Sequence, residues 1–141
     1  MSIEARVAVS VLALILGSAV LAAAEPAAAP GWNPNAWLDE STIELRTTAP
    51  GEEPHWFKVW QVVIDGQLYV RLGSRAAGRF ESNQTRPVLA VRIAGQEFPE
   101  VKGVAVPDMA QRVDAAMADK YWSDVFVRWF GHPLVLRLSP K

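Results

Sequence analysis

The chain contains no cysteine, and this absence excludes several functions at once. It can form no disulfide, carry no lipid on an N-terminal cysteine, and use neither a thiolate nor cysteine-bound zinc. Histidine is almost as scarce, since His55 and His132 are the only two. Each is next to a proline, at a strand start or in a turn, and neither has a partner at metal-ligand spacing. This pattern favours exposed histidines over a metal site.

An excess of charge is also lacking. The 14 lysine and arginine residues nearly balance the 15 acidic residues, and the formal net charge is −1. A domain this close to neutral lacks the basic surface with which proteins bind nucleic acid or anionic lipid. We therefore expect neither as a partner.

Common catalytic motifs are missing too. The sequence has no G-x-S-x-G turn for a nucleophilic serine and no glycine loop with P-loop or dinucleotide-binding spacing. Glu52 and Glu53 are adjacent carboxylates, but they lie in a proline-flanked turn, where such groups are usually solvated. The sequence therefore assigns no catalytic residue.

No apolar run is long enough for an ordinary membrane-spanning helix. Residues 7–21 are almost wholly apolar, but a run of about 15 residues falls short of the roughly 20 that cross a bilayer. A short polar start precedes this run and Ala22-Ala23-Ala24 follows it, as in a secretory signal peptide. We predict a signal peptide over residues 1–24, cleaved rather than retained as an anchor. The protein is then periplasmic or secreted, with no membrane contact after cleavage.

The remaining chain divides into a linker and one domain. Residues 25–40 are predicted to be an alanine- and proline-rich linker that ends in a turn docking Trp37 and Leu38, and residues 41–141 form the domain. Apolar runs bounded by turn signals predict strands at residues 41–48, 56–64, 68–72, 88–93, 97–106 and 134–138. The fifth strand is expected to be bent or interrupted at Pro99 and Gly103.

Helices are predicted mainly near the C-terminus. The clearest helix runs over residues 108–121 with Asp108 as its cap, and short helices are predicted around 79–84 and 122–131. Mostly antiparallel strands with a late helix indicate a small barrel with helices at its ends.

Asp65-Gly66 is the strongest hairpin signal, because both positions of its turn need a positive φ. After it, Leu68, Val70 and Leu72 are predicted to face inward, with Arg71 on the opposite face. The preceding strand is apolar on both faces, so we expect a barrel interior on one side and a helix or second subunit on the other. A further turn is predicted at residues 94–96.

Two groups of side chains near the first two strands could bind a ligand. Arg46-Thr47-Thr48 ends a strand with a guanidinium and two hydroxyls, which together suit a phosphate. Lys58 lies among apolar neighbours, where it either faces a ligand or simply extends its stem to solvent.

A third group follows the hairpin. Arg71, Gly73-Ser74-Arg75 and Arg79 could form an anion-binding edge. The alternative is a solvated sheet edge. In that case the arginines would form ion pairs with acidic residues, namely Glu44, Asp65 and Glu81.

The order and spacing of six segments resemble a known group of proteins. The segments are IELRTT (43–48), VWQVVIDGQLYVRLGS (59–74), GRFESN (78–83), RPVLAVRIAGQEF (86–98), RVDAAMADKYW (112–122) and LVLRLSP (134–140). Together they resemble the flavin-binding split-barrel superfamily, which includes pyridoxamine-phosphate-oxidase-like proteins and deazaflavin-dependent nitroreductase relatives. Within it, the chain looks most similar to a small bacterial branch.

The resemblance implies a six-stranded antiparallel split β-barrel with one main C-terminal helix and short flanking helices. It also implies a homodimer that holds FMN or a deazaflavin at the subunit interface. Carried over by position, the residues near the phosphate or ring edge would be Arg46, Thr47 and Thr48. Those flanking the ring would be Lys58 and Trp60, and those lining the ribityl and phosphate side would be Arg71, Ser74, Arg79 and Asn83.

One turn departs from the family pattern and leaves two hypotheses open. Where deazaflavin-binding relatives carry a basic, glycine-containing segment, residues 49–56 read APGEEPHW, and glutamates repel a phosphate. In the first hypothesis the exported barrel binds a flavin or deazaflavin and reduces a small acceptor. In the second it is a cofactor-free binding or structural module, in which Arg71 and Arg79 form structural ion pairs.

Overall fold

Six antiparallel strands close into a barrel in the order β1-β2-β3-β6-β5-β4. The computed structural model describes residues 31–47, 51–82, 88–121 and 134–141. The strands are β1 (Thr42–Thr47), β2 (His55–Ile64), β3 (Gln67–Leu72), β4 (Val88–Ile93), β5 (Gln96–Ala105) and β6 (Leu134–Pro140). The helices are α1 (Ser74–Ser82) and α2 (Ala110–Lys120), with 3-10 turns at Pro34–Trp37 and Pro107–Met109. The predicted six-stranded antiparallel barrel with one main late helix is confirmed.

Tight turns set the register of two hairpins. Asp65 and Gly66 have φ values of 50° and 73° between β2 and β3, and Ala94 and Gly95 have 50° and 75° between β4 and β5. Both turns match the twist of their flanking strands because both central residues have positive φ. The two turn predictions are confirmed.

The inner face of the barrel forms the main core. On β3 this face carries Leu68, Val70 and Leu72, all fully buried, as predicted from their alternation. They pack against inward residues of the other strands, including Ile43, Leu45, Val91, Val101, Leu136 and Leu138. Burial of this apolar surface is the principal stabilising contribution to such a fold.

A second cluster explains why β2 is apolar on both faces. Val62 on the outer face of β2 packs with Val113 and Met117 of α2, which are fully buried. Phe57 and Val59, on the other face of β2, pack against the barrel core. The predicted covering helix is therefore α2.

The segment before β1 closes one end of the barrel. Trp37 is 3% exposed and belongs to the main core, with Trp32 and Phe98 in edge-to-face contact around it at 5.2 and 5.6 Å. The buried side chain of Gln61 donates through Nε2 to the carbonyl oxygens of Trp37 and Glu40, at 2.8 and 2.7 Å. Docking of Trp37 is thus confirmed.

Leu38, the other residue predicted to dock, is 54% exposed, so that prediction is wrong. It occupies the position after the 3-10 turn, whose single buried residue is Trp37. A short turn offers only one face to the core, and the bulkier side chain takes it.

Two helix starts differ from expectation. The short helix predicted around residues 79–84 begins at Ser74, where Ala77 donates its first helical bond to the carbonyl oxygen of Gly73. Asp108 lies inside a 3-10 turn rather than at a cap, because α2 begins only at Ala110 and makes no side-chain cap bond. The predicted helix at residues 122–131 lies outside the described residues.

The fifth strand is bent rather than interrupted. β5 runs through Pro99 and Gly103 without a break, but Leu89 pairs with Val101 and Val91 with Phe98, so β5 carries one extra residue at Pro99–Glu100, and the predicted irregularity at Pro99 is a β-bulge. A Cβ at Gly103 would lie 2.7 Å from Cδ1 of Leu89, so glycine at this position makes room for that core side chain. Among the described helices, none has the length and apolarity required to cross a membrane.

Candidate ligand-binding pocket

A pocket of about 870 Å³ lies beside β2, at the point where β3 passes into α1. The apolar residues that line it are Phe57, Val59, Trp60, Ala76 and Met117. The polar, charged and glycine residues that line it are Lys58, Arg71, Gly73, Ser74 and Arg75. The size falls within the usual range of small-molecule sites, about 300–1,000 Å³.

A stacked pair of aromatic rings orients Trp60. The rings of Trp60 and Tyr121 are 4.4 Å apart and nearly parallel, with an interplanar angle of 4°. The phenol O–H of Tyr121 can donate its one hydrogen to the carbonyl oxygen of Ser41 or of Gln61, at 2.5 and 2.8 Å, and its oxygen accepts from the backbone N–H of Gln61 at 3.3 Å. Burial raises the pKa of Tyr121, although the Gln61 bond and Arg71 oppose the shift. The indole of Trp60 is thus held against a neutral, anchored phenol.

Lys120 reinforces the same corner of the fold. Its Nζ donates to the carbonyl oxygens of Glu40 and Gln61, at 2.6 and 3.2 Å. Burial lowers the pKa of Lys120, and the nearby Asp39 and Glu40 carboxylates partly offset that effect. The end of α2 is therefore tied both to β2 and to the segment before β1.

The cations of the pocket fall into two kinds. Arg71 on β3 is buried and paired with Asp114 of α2, Nη1 to Oδ1 at 2.9 Å. Lys58 and Arg75 are exposed, and within the described residues neither forms an ion pair. An anion entering the pocket would therefore meet Lys58 and Arg75 before Arg71.

The start of α1 adds backbone hydrogen-bond donors to the pocket lining. The first helical bond runs from Ala77 to Gly73, so the N–H groups of Ser74, Arg75 and Ala76 precede any intrahelical acceptor. Such groups, with the helix dipole behind them, favour a negative charge. Ser74 is exposed at this end and places a hydroxyl beside them.

Four residues predicted for a cofactor site come together in this pocket, namely Lys58, Trp60, Arg71 and Ser74.

Three other residues predicted for the cofactor site lie outside the pocket. Arg46 is on β1 with its Cζ 5.4 Å from the ring of Trp56. Thr47 is buried and its hydroxyl has no partner within the described residues. Arg79 is bonded to Glu52 at 3.2 Å. Thr48 and Asn83 lie outside the described residues.

Several lining residues were not found from the sequence. Met117 comes from α2, far along the chain, and no local pattern links it to β2. Arg75 precedes the helix predicted around residues 79–84, whereas it lies in the first turn of α1. The signal that could have placed it is Gly73-Ser74 before the spaced apolar residues Ala77 and Phe80.

A smaller pocket of about 460 Å³ lies at the β4–β5 turn and carries compensated charges. Arg92 bonds Glu97 at 3.1 Å, lies 3.9 Å from Glu44, and covers the ring of Trp56 at 3.8 Å. Arg92, Glu44 and Glu97 thus compensate one another, while Lys58, which also lines this pocket, forms no ion pair with a described residue. Within the described residues, no group of histidine, aspartate or glutamate side chains could hold a metal ion.

Comparison with known proteins identifies the fold. No family model matches the chain and no curated protein matches it. An F420-H2 dependent reductase superposes with a TM-score of 0.54 and 8% identity, over 71% of this chain and 95% of that one. The heme storage protein HutZ from Vibrio cholerae superposes with a TM-score of 0.58 and 16% identity, over 76% and 87%. The likeness shows the fold, a split β-barrel that this chain shares with these proteins.

A third solved structure of this split-barrel fold is described as a domain-swapped dimer. It superposes with a TM-score of 0.53 and 9% identity, over 72% of this chain and 81% of that one. At these identities the likeness concerns the split barrel alone, and sites must be argued from the residues of this chain.

Proposed function

We propose that this split barrel binds a flavin or deazaflavin in the pocket beside β2 and reduces a small acceptor. The observation that carries the proposal is that one pocket is lined both by apolar side chains and by cations. The lining includes the indole of Trp60, the exposed cations Lys58 and Arg75, and the start of α1. A flavin nucleotide has the matching halves, a flat apolar ring system and an anionic tail.

The residues present fit such a ligand. The volume suits a mononucleotide. A ring can lie against Trp60, which Tyr121 already holds in place. A phosphate can bind Lys58, Arg75 and the backbone N–H groups of α1. When bound, the flavin would supply the hydride chemistry. The chain would bind the tail, orient the ring and exclude water with Phe57, Val59 and Met117.

Other proteins of this fold support the ligand class. One is a reductase that depends on reduced F420, a deazaflavin, and another stores heme, so the barrel accommodates flat conjugated ligands in other proteins. The domain-swapped dimer supports a homodimer, in which a second copy would cover the open side of the pocket. Export behind a signal peptide over residues 1–24 remains part of the proposal, on the sequence pattern alone.

Fluorescence titration tests the proposal. The purified protein is titrated with FMN, riboflavin and a deazaflavin, and tryptophan emission and visible absorbance are recorded. Quenching that saturates, and that Trp60→Leu reduces more than Trp56→Leu, is the expected result. Absence of quenching by any of the three at concentrations up to about 100 µM would overturn it.

A second function, a cofactor-free binding or structural module, is favoured by one observation. Arg71 and Arg79, both predicted to line a cofactor, form ion pairs with Asp114 and Glu52. If these pairs only stabilise the fold, replacing either arginine by alanine lowers stability and alters no ligand response. A tight flavin complex that Arg71→Ala abolishes would contradict this second function.

A further inference from the structure

Arg71 is a buried cation in the wall of the pocket, and α2 supplies a charge beside it. Its side chain is 3% exposed, whereas that of its partner Asp114 is 48% exposed. Asp114 precedes Met117 by three residues, and residues at this spacing lie on the same side of a helix. Since Met117 lines the pocket, the Asp114 carboxylate lies on the side of α2 that faces it.

The remaining cations of the pocket are arranged differently. Lys58 and Arg75 are exposed side chains without an ion pair to any described residue. A phosphate monoester carries a charge of about −1.5 to −2 at neutral pH. Two available cations therefore match one phosphate, and a third would suit a ligand of higher negative charge.

We propose that Asp114 sets the charge selectivity of the pocket. Its carboxylate compensates Arg71 and leaves Lys58 and Arg75 to bind one phosphate monoester. This inference rests on the proposed flavin function and deepens it, because it names the residue that limits the anionic charge of the ligand. The carboxylate also repels an anion in the pocket directly, whatever other contacts Arg71 makes.

The test compares FMN with riboflavin, which lacks the phosphate, in three proteins at low salt. The proteins are the wild type, Asp114→Asn, and Asp119→Asn as the matched control. Neither aspartate is among the residues that line the pocket, but only Asp114 forms an ion pair with Arg71, which does. Asp119 is exposed on the same helix and gives the same change in net charge when replaced. We expect Asp114→Asn to strengthen FMN binding by about three- to tenfold relative to riboflavin.

Salt and a charge-conserving variant give independent measurements. The increase in FMN affinity caused by Asp114→Asn should become smaller as salt is added, since exposed charges are screened. Asp114→Glu keeps the charge and should keep the wild-type ratio of FMN to riboflavin affinity. Asp114→Ser replaces Asp114→Asn if that variant does not fold. In the wild type alone, FMN binding should weaken with salt while riboflavin binding does not.

The outcomes separate this inference from the function on which it rests. If riboflavin and FMN both bind and Asp114→Asn leaves the ratio of their affinities unchanged, the inference is overturned. The proposed flavin function would still stand. An equal gain from Asp119→Asn, or wild-type FMN binding that is insensitive to salt, overturns it as well. Failure of both flavins to bind any of the proteins overturns the inference and the proposed function together.

Discussion

The guanidinium of Arg79 donates a hydrogen bond to Glu52 across 3.2 Å, which ties α1 to the turn before β2. One helical turn earlier, Arg75 lines the pocket instead. The acidic turn that departs from the family pattern therefore has a partner in this fold. Glu52 engages Arg79, and the proposed phosphate site uses other residues.

Arg75→Gln should weaken FMN binding by about three- to tenfold, while Arg79→Gln changes it little. The two variants lose the same charge from the same helix, so they form a matched pair. Riboflavin affinity should be unchanged in both, because it has no phosphate for Arg75 to bind. Equilibrium titration of both ligands checks this, and a larger loss from Arg79→Gln would contradict the placement of the phosphate.

Trp60→Leu should weaken FMN and riboflavin binding equally, because both share the ring system that Trp60 contacts. It should also reduce the free energy of unfolding by about 1–2 kcal/mol through loss of the stack on Tyr121. Trp56→Leu is the control, since Trp56 lies on the same face of β2 but outside the pocket. Equal effects of the two variants on flavin binding would show that Trp60 does not contact the ring.

Arg71→Ala should reduce the free energy of unfolding by about 1–3 kcal/mol, because it removes a buried cation and its bond to Asp114. Arg79→Ala breaks a more exposed pair and should cost about 0–1 kcal/mol. Urea denaturation measures both. A cost for Arg79→Ala as large as that for Arg71→Ala would contradict the difference in burial.

Gln61→Leu should reduce the free energy of unfolding by about 1–3 kcal/mol, since it removes the buried side-chain donor of the Trp37 carbonyl oxygen, whereas the Glu40 carbonyl oxygen keeps its bond from Lys120. The segment before β1 should also open more readily, seen as faster hydrogen exchange of the Glu40 amide, which bonds to the Trp37 carbonyl. Gln67→Leu, at an exposed position on β3, is the control. Unchanged exchange at Glu40 would mean that Trp37 alone anchors this segment.

Tyr121→Phe should change how stability depends on alkaline pH. Burial raises the pKa of Tyr121 above the ordinary 10.0. Its stabilising contribution is therefore complete below pH 10.0 and is lost as the pH rises through the folded-state pKa. Lys120, whose pKa is lowered, is present in both proteins and should largely cancel in the comparison.

Urea denaturation of the wild type and Tyr121→Phe at a series of pH values measures this effect. The stability difference between the two proteins should be constant below pH 10.0 and shrink above it. A difference that stays constant through the alkaline range would show that the phenol does not titrate with folding.

The fold could be predicted in large part because its rules are local. Alternation along β3 placed Leu68, Val70 and Leu72 inside, and Asp65-Gly66 marked the turn that sets their register. The start of α1 was misplaced because its sequence has few apolar residues, and Ala77 is its one buried side chain. The bounds of a short, mostly polar helix depend on what it packs against, which no short stretch of sequence shows.

The pocket could not be predicted in the same way, because its residues come from distant parts of the chain. The sequence by itself determined the barrel and its main hairpin, since periodicity and turn chemistry act over a few residues. It also determined which residue types were present to contact a flavin. Only the tertiary structure decided that Lys58, Trp60, Arg71 and Ser74 line one pocket with Met117. It also decided that Asp114 engages Arg71 and that Glu52 engages Arg79. The physical reason is that an ion pair depends on a few ångströms of separation, and these separations are set by how α1 and α2 pack on the barrel.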